Sequence, residues 1–467
     1  MKASNIAWSE QARIALEAPF SQRGIGWQIL LPFLIPVAVL YSIIMSLRRF
    51  VLQTVVRLRS SDVTELTLSS DIEAIIAIGN LAVGGSGKSP LVRQLVHSYM
   101  LQGYPVCVLS RGYGAPGGKQ GVYLYSPDSS LTPDEKMPGS SLSYSDLADE
   151  LRELVVSMRL RSIGDEVSGA ADLPQLLIGQ DPNRLNALSM CLQIYRNSGI
   201  RSGSRPISKQ TQGKGLVVLL DDGLQHLQCP RDLEVCIWPF LSTVHAPRIT
   251  LPVGYYREGL GSGLNRIART FPIHVWNGSP SSRCGPALQR IGPFASDTAH
   301  FGMHMRLRWI DSDLLPVVPA KVLDQRTVLI VTGIAAPHRF VESVHVELSS
   351  GLSSKDNPPR TVCVHFRDHG EFDVQTIRQT MSSERTGNEG FVLFLTLKDW
   401  CRWSGKREFI DFVARGALVI SVVQAELQSF LSGGDLGGNG FAEVVLQRAK
   451  QAREERRGKL PNLRGAR

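Results

Sequence analysis

Apolar positions along the chain fall into one long run and many short ones. The long run is residues 25–47, IGWQILLPFLIPVAVLYSIIMSL, without a charged side chain. As a helix it is long enough to cross the ~30 Å hydrocarbon core of a bilayer. Pro32 and Pro36 lie inside it, so a kinked or interfacial helix is the alternative to a straight span. Arg48, Arg49, Arg57 and Arg59 follow the run and only Arg23 closely precedes it. The positive-inside bias then puts the rest of the chain on the cytoplasmic-type side. No small-x-small site closes the run, which argues against a cleaved signal peptide. A buried core helix is the plainer reading of the same pattern.

The short runs alternate with helical segments, a pattern that predicts a parallel sheet with crossover helices. Strands are expected within 75–78, 105–114 (ending in a loop with Ser110 and Arg111), 176–179, 215–223, 233–238 and 271–277. A second set is expected at 327–334, 360–366, 390–399 and 416–423. Residues 115–160 are rich in Gly, Ser, Pro and Asp and read as an exposed insertion carrying one helix at LADELRELVVSMRL. Residues 200–214 and 277–300 read as polar loops. The basic C-terminal end reads as a fraying tail or, more plainly, as a solvated helix end.

The first short run ends in chemistry. Ile75–Ile78 leads into Ala82-Val83-Gly84-Gly85-Ser86-Gly87-Lys88-Ser89, the strand, loop and helix order of a P-loop. Backbone N–H groups of Gly84, Gly85, Ser86 and Gly87 are placed to curl around phosphate oxygens. Lys88 reaches the β/γ-phosphates, and the Ser89 hydroxyl is the expected Mg²⁺ ligand. Ala82 stands where the strict pattern has glycine. The fold class that follows is α/β: a P-loop NTPase-like parallel-sheet domain, a second, smaller α/β domain and an N-terminal membrane-associated helix. The expected division is 1–64 for the helix region, 65–300 for the P-loop domain, 301–445 for the smaller domain and 446–467 for the tail.

Carboxylates recur at predicted strand ends. VVLLDDGLQH closes with Asp221 and Asp222, where a metal-holding acid belongs opposite a P-loop. Neighbours on a strand point to different sides, so the two need not share a role. SIGDE offers Asp165 as an acceptor of a hydroxyl proton, though an exposed acidic turn fits as well. RDHGEFD places His369 just after a strand of the second domain. LPVGYYREGL offers Arg257 to a phosphate and Glu258 to a metal or to arginine.

Composition narrows the partners. Net charge is +9, which favours nucleic acid, acidic head groups or phosphorylated substrates. The seven cysteines form no C-x-x-C pair, so neither a zinc site nor a disulfide scaffold is indicated, and a reducing compartment follows.

The ordered set GNLAVGGSGKSP, LSRGYG, GDE, DDGLQH, LPVGYYREGL, TGIAAPHRF, FRDHGEF and TLKD resembles the tetraacyldisaccharide 4′-kinase family of lipid A biosynthesis. The apolar start resembles that family's membrane-associated N-terminus. The resemblance spans about residues 25–445. It implies an ATP- and Mg²⁺-dependent kinase acting on the 4′-hydroxyl of a tetraacyldisaccharide 1-phosphate, a glycolipid, with no nucleic-acid partner. It implies membrane association, at the cytoplasmic face of a bacterial inner membrane or at a mitochondrial membrane. By the same match Lys88 and Ser89 serve the nucleotide, Asp165 is the catalytic base and His369 its helper. Asp221, Asp222 and Glu258 are the metal and active-site acids. Three positions depart from the family pattern: Gly370 replaces a histidine, Leu397 a glutamate and Val167 a proline. A membrane-tethered P-loop ATPase or GTPase switch, or an inactive lipid-binding member, are the competing readings; no N-K-x-D guanine signature is present.

Overall fold

The structure is a computed structural model. It describes residues 25–58, 60–82, 86–125, 140–164, 176–197, 213–239, 249–259, 264, 267, 272–278, 298–319, 327–334, 337–351, 359–367, 370–383, 390–429 and 437–458. The elements begin with α1 (Ile25–Leu58), α2 (Ser60–Thr67), β1 (Ile72–Gly79), α3 (Lys88–Leu101), β2 (Val106–Ser110) and β3 (Gly121–Tyr125). They continue with α4 (Asp149–Gly164), β4 (Leu176–Gln180), α5 (Arg184–Asn197), β5 (Leu216–Asp221), β6 (Leu233–Pro239), β7 (Ile273–Asn277) and β8 (Ala299–Ile310). Then come β9 (Thr327–Thr332), α6 (Pro337–Gly351), β10 (Thr361–His365), α7 (Val374–Ser383) and β11 (Phe391–Thr396). The chain closes with α8 (Leu397–Trp403), α9 (Arg407–Val413), β12 (Ala417–Ser429) and α10 (Gly437–Gly458).

Two compact units result. The described residues of the larger lie within 11–147, 165–305 and 425–467; those of the smaller lie within 148–164 and 306–424. In the larger unit the strand order is β7-β6-β1-β5-β2-β4-β3. Every pair there is parallel except β3 with β4. β1 is buried along almost its whole length, as both-face coverage of a parallel sheet requires; hence its unbroken apolar run. One side of the sheet packs Ile75, Leu109, Val218 and Leu220 with Leu188 and Leu192 of α5. The register pairs Ile78 with Asp221, so the strand leading into the glycine loop ends beside the paired aspartates.

In the smaller unit β10, β9, β11 and β12 run parallel in that order. Val328, Ile330, Phe340, Val344, Val392 and Phe394 form its core. Two of the family-like motifs meet here. Asp399 of TLKD accepts hydrogen bonds from the Thr332 hydroxyl (3.1 Å) and the Gly333 N–H (3.1 Å) of TGIAAPHRF, and pairs with Arg402 at 3.3 Å. Burial nonetheless raises the Asp399 pKa, against these hydrogen bonds and Arg402. Asp399 therefore ties two strand ends of this unit together.

Several expectations are corrected. The 115–160 segment is not simply an exposed insertion. Gly121–Tyr125 forms the antiparallel edge strand β3. The predicted helix, α4, buries Leu151, Leu154, Val155 and Val156. α4 also belongs to the smaller unit, where Asp149 pairs with Arg402 at 2.8 Å. Polar spacing hid this, because an amphipathic helix reads alike on a surface and against a second unit. β8 was not anticipated, since its histidines, methionines and arginines obscure the alternation.

The boundary at 445 and the tail at 446–467 are likewise corrected. Residues 437–458 form one helix, α10, which buries Phe441, Val445, Leu446, Ala449 and Ala452. Its basic residues bond inward. Asp232, fully buried, accepts from the Ile75 N–H (2.8 Å), from Arg453 (3.1 Å) and from Arg456. A buried carboxylate held by two guanidiniums fixes α10 to β1, so the charge run is an anchor and not a solvated end. Residues 459–467 lie outside the described residues.

Removing Asp232 strands a buried guanidinium and the Ile75 N–H. Asp232→Ala is therefore expected to cost about 3–5 kcal/mol, read from the urea unfolding midpoint. A loss under about 1 kcal/mol, the level of an exposed pair, contradicts the anchor.

Candidate functional site

The chain leaves β1 at Gly79 and re-enters regular structure at Lys88, the first residue of α3. Gly87 turns the loop into the helix with φ +89°, a left-handed conformation that glycine adopts without penalty. A Cβ there would lie 2.2 Å from the Met305 methyl and 2.9 Å from Asn277 Nδ2. Asn277, at the end of β7, donates to the Ser86 carbonyl at 3.0 Å and so clamps the loop from outside. Gly84 and Gly85 lie outside the described residues, as do Asp165 and His369.

Lys88 points back across the loop. Its ammonium donates to Asn80 Oδ1 at 3.3 Å and pairs with Asp222 at 3.4 Å. Asp222 also accepts two bonds from Arg257, at 3.0 and 3.2 Å. Its backbone sits at φ +49°, a conformation that aspartate tolerates better than most residues. Burial works to raise the Asp222 pKa, but Lys88 and then Arg257 outweigh it and hold the carboxyl below its ordinary value. Two cations thus converge on one carboxylate at the mouth of the loop. Ser89 is half-buried in the first turn of α3.

Beside these charges lie donors without a partner among the described residues. Asn80 Nδ2 and Ser86 Oγ are buried and make no hydrogen bond. Both are loop residues flanking Lys88. Unpaired buried donors cost about 1–3 kcal/mol each, and phosphate oxygens satisfy such donors. The cradle therefore fits a polyphosphate.

Asp221 ends β5 and is nearly buried. Its carbonyl accepts from Arg184 Nη2 at 3.4 Å. Arg184 opens α5, and its Nη1 donates to the Asp181 carbonyl at 2.8 Å. Burial lowers its pKa to about 10 against the pull of Asp221, so it stays cationic at neutral pH. His226 is 3.1 Å from the Pro182 carbonyl. Burial, and behind it Arg184, push its imidazole down to about 4, so it is neutral at pH 7.

Glu258 is placed differently from the paired aspartates. Its Oε2 accepts from Arg49 at 2.6 Å and its Oε1 from Gln225 at 3.3 Å. Gln225 also donates to the Asn80 carbonyl at 2.9 Å. Glu258 thus ties its own loop to α1 and to the loop after β1. Among the described residues no three His, Cys, Asp or Glu side chains cluster as a ready metal site. Of the residues singled out by the motifs, Lys88, Asp222 and Arg257 are bonded to one another; Ser89 and Asp221 are their neighbours in the chain, and Glu258 is bonded to Arg49 and Gln225. Asn80, Gln225, Asn277, Arg184 and Arg49 complete the surroundings without having been singled out. Asn80 and Gln225 stood inside quoted motifs; Arg49 carried no signal beyond its charge.

The Gly370 departure has a local cause. A Cβ at 370 would lie 2.7 Å from the Arg367 carbonyl, which accepts the Gly370 N–H at 2.7 Å. A histidine there requires that turn to open. Leu397, where the family pattern has glutamate, is buried at the start of α8.

A lysine-bearing glycine turn between a central parallel strand and a helix, with acids ending the adjacent strand, defines a nucleotide-binding α/β protein of the P-loop class. The family model described as tetraacyldisaccharide-1-P 4′-kinase, LpxK, matches residues 30–135 and 143–432. The chain belongs to this kinase family. A tetraacyldisaccharide 4′-kinase of Chlorobaculum parvum is 25% identical over 385 residues, covering 81% of this chain and 86% of the relative. One from Hahella chejuensis is 30% identical over 312 residues, covering 63% and 72%. The fold matches a crystal structure of the "apo" form of LpxK from Aquifex aeolicus in complex with ATP. That match has a TM-score of 0.50 and 20% identity, over 91% of this chain and 100% of the other.

The depressed Asp222 pKa has a measurable sign. A carboxyl held below its unfolded value of about 3.9 stabilises the fold above that pH and ceases to do so as pH falls through the folded value. The side chain is 42% exposed, so the worth is expected to be no more than about 1 kcal/mol. Asp222→Asn should therefore unfold slightly earlier than wild type between pH 5 and 8, roughly the span above both pKa values, with the gap narrowing towards pH 3. A gap that stays constant across that range contradicts the charge assignment.

Proposed function

We propose that this protein is an ATP-dependent kinase that phosphorylates the 4′-hydroxyl of a tetraacyldisaccharide 1-phosphate at a membrane surface. The observation that carries the reading is Lys88, aimed across a loop whose Asn80 Nδ2 and Ser86 Oγ lack partners among the described residues, with two acids at the neighbouring strand end. Family membership supplies the acceptor. α1 supports work at a lipid surface. Residues 25–52 are long and apolar enough to cross a membrane, and Ile29, Phe33, Leu40 and Ile44 on it are exposed.

Phosphoryl transfer asks the protein mainly for position and charge. Lys88 neutralises charge on the transferring group. Arg257, which holds Asp222 in the structure described, lies within reach of a phosphate when Asp222 turns to another partner. Ser89, Asp221 and Asp222 are the oxygen donors that would hold Mg²⁺, and the ion would supply further charge neutralisation. Asp165 is assigned the proton of the attacking hydroxyl and His369 the helper role by resemblance alone. The membrane compartment follows the same resemblance.

Transfer of labelled γ-phosphate from ATP to a tetraacyldisaccharide 1-phosphate in detergent micelles tests the reading. Wild-type protein should label the lipid, and chelation of divalent cations should stop it. Lys88→Ala should cut turnover by at least about a hundredfold. Near-normal turnover by that variant refutes the phosphate site. Asp165→Asn should leave nucleotide binding nearly intact and lower kcat by roughly two to four powers of ten. A wild-type rate removes Asp165 from the base role.

A further inference from the structure

The apolar helix α1 carries a polar stripe, and the stripe is bonded to the phosphate site. Ala38, Tyr41, Ser42 and Arg49 recur at the three-, four- and seven-residue intervals that share one helix face. The Ala38 carbonyl accepts from the Thr250 hydroxyl at 3.2 Å, and Ser42 Oγ meets Thr250 Oγ1 at 2.7 Å. The Tyr41 hydroxyl donates to the Arg257 carbonyl at 3.0 Å. Arg49 pairs with Glu258 at 2.6 Å, with the two side chains 13% and 5% exposed.

All these partners belong to the 249–258 loop, which is also bonded to the glycine loop. The Arg257 N–H donates to the Leu81 carbonyl at 2.8 Å, and Ala82 bridges to Tyr256. The Arg257 side chain holds Asp222, which holds Lys88. Glu258 shares Gln225 with Asn80. Two short routes therefore run from α1 to the phosphate lysine. One passes from Tyr41 through Arg257 and Asp222; the other passes from Arg49 through Glu258, Gln225 and Asn80.

A membrane anchor has no need of these bonds. Holding a helix in a bilayer takes only apolar surface, which the opposite side of α1 supplies. A nearly buried carboxylate such as Glu258 is instead costly to keep without its cation, and losing Arg49 would drive it towards water and take Arg257 with it. We propose that Arg49 and Tyr41 are positioning residues of the nucleotide site, so that the helix facing the lipid also sets the geometry around Lys88. This rests on the phosphate-site reading above. Its consequence is that ATP handling, and not only access to lipid, depends on how α1 is seated.

The test uses the full-length protein in micelles, with ATP kinetics, lipid kinetics and vesicle co-sedimentation measured on each variant. Arg49→Met should lower kcat/KM for ATP by about tenfold or more, with co-sedimentation and the KM for lipid unchanged. Arg49→Lys should restore most of the loss, and the exchanged pair Arg49→Glu with Glu258→Arg should recover more than either single change. Tyr41→Phe should cost ATP kinetics a few-fold, of the order of one hydrogen bond. If Arg49→Met does not accumulate, Glu258→Gln removes the charge while keeping one acceptor oxygen and the side chain's shape, and should show the same ATP-specific loss. ATP kinetics within about twofold of wild type for Arg49→Met or Glu258→Gln overturns the inference, as does a loss confined to co-sedimentation. Lys88→Ala in the same assay separates the failures. If it is inactive while the Arg49 and Glu258 variants are normal, only this inference falls. If it too is active, the phosphate-site reading falls first.

Discussion

The site depends on one electrostatic arrangement: two cations, Lys88 and Arg257, sharing the Asp222 carboxylate at the end of β5. Everything around it either brings these three groups together or keeps them charged. The parallel register of β1 and β5 sets the glycine loop beside the aspartates. Gly87 permits the turn that starts α3 at Lys88. Asn277 and the 249–258 loop brace the glycine loop from either side. In the structure the Asp222 carboxylate takes up the charge of both cations.

The scaffold is fixed by a second charge cluster. Asp232, Arg453 and Arg456 tie the C-terminal helix to β1. The phosphate strand is thus held at its middle by a buried ion network and at its end by the loop. The two clusters illustrate opposite uses of burial. Around Asp232 the charges are nearly all covered and mutually satisfied. Around Lys88 the mouth stays partly open, and two donors have no partner among the described residues.

Much of this was legible because parallel strands covered on both faces leave unbroken apolar runs, as in IEAIIAIG and LVVLLD. The spacing of Lys88 and of the paired aspartates is the spacing a phosphate site asks for, and the structure sets Lys88 against Asp222. What escaped notice has physical causes. The basic C-terminal helix looks solvated until Asp232, more than 200 residues away, is placed against it. The helix at 149–164 gives no hint from its own amphipathic pattern that it packs in the smaller unit. The Arg49–Glu258 pair joins residues 209 positions apart, and no local pattern announces it. Departure from the family pattern at Gly370 is explained by a turn too tight for a side chain. The replacement at Leu397 is a buried apolar residue, and nothing in the structure explains why an acid is absent there.

That Lys88 is held ready for a phosphate is the claim on which the rest stands. Calorimetric titration of Mg²⁺-ATP into full-length wild-type and Lys88→Met protein in micelles measures it directly. A charge-assisted bond to phosphate is worth about 1.5–3 kcal/mol, so the variant should bind at least about tenfold more weakly. Equal affinity in the two proteins would contradict the account.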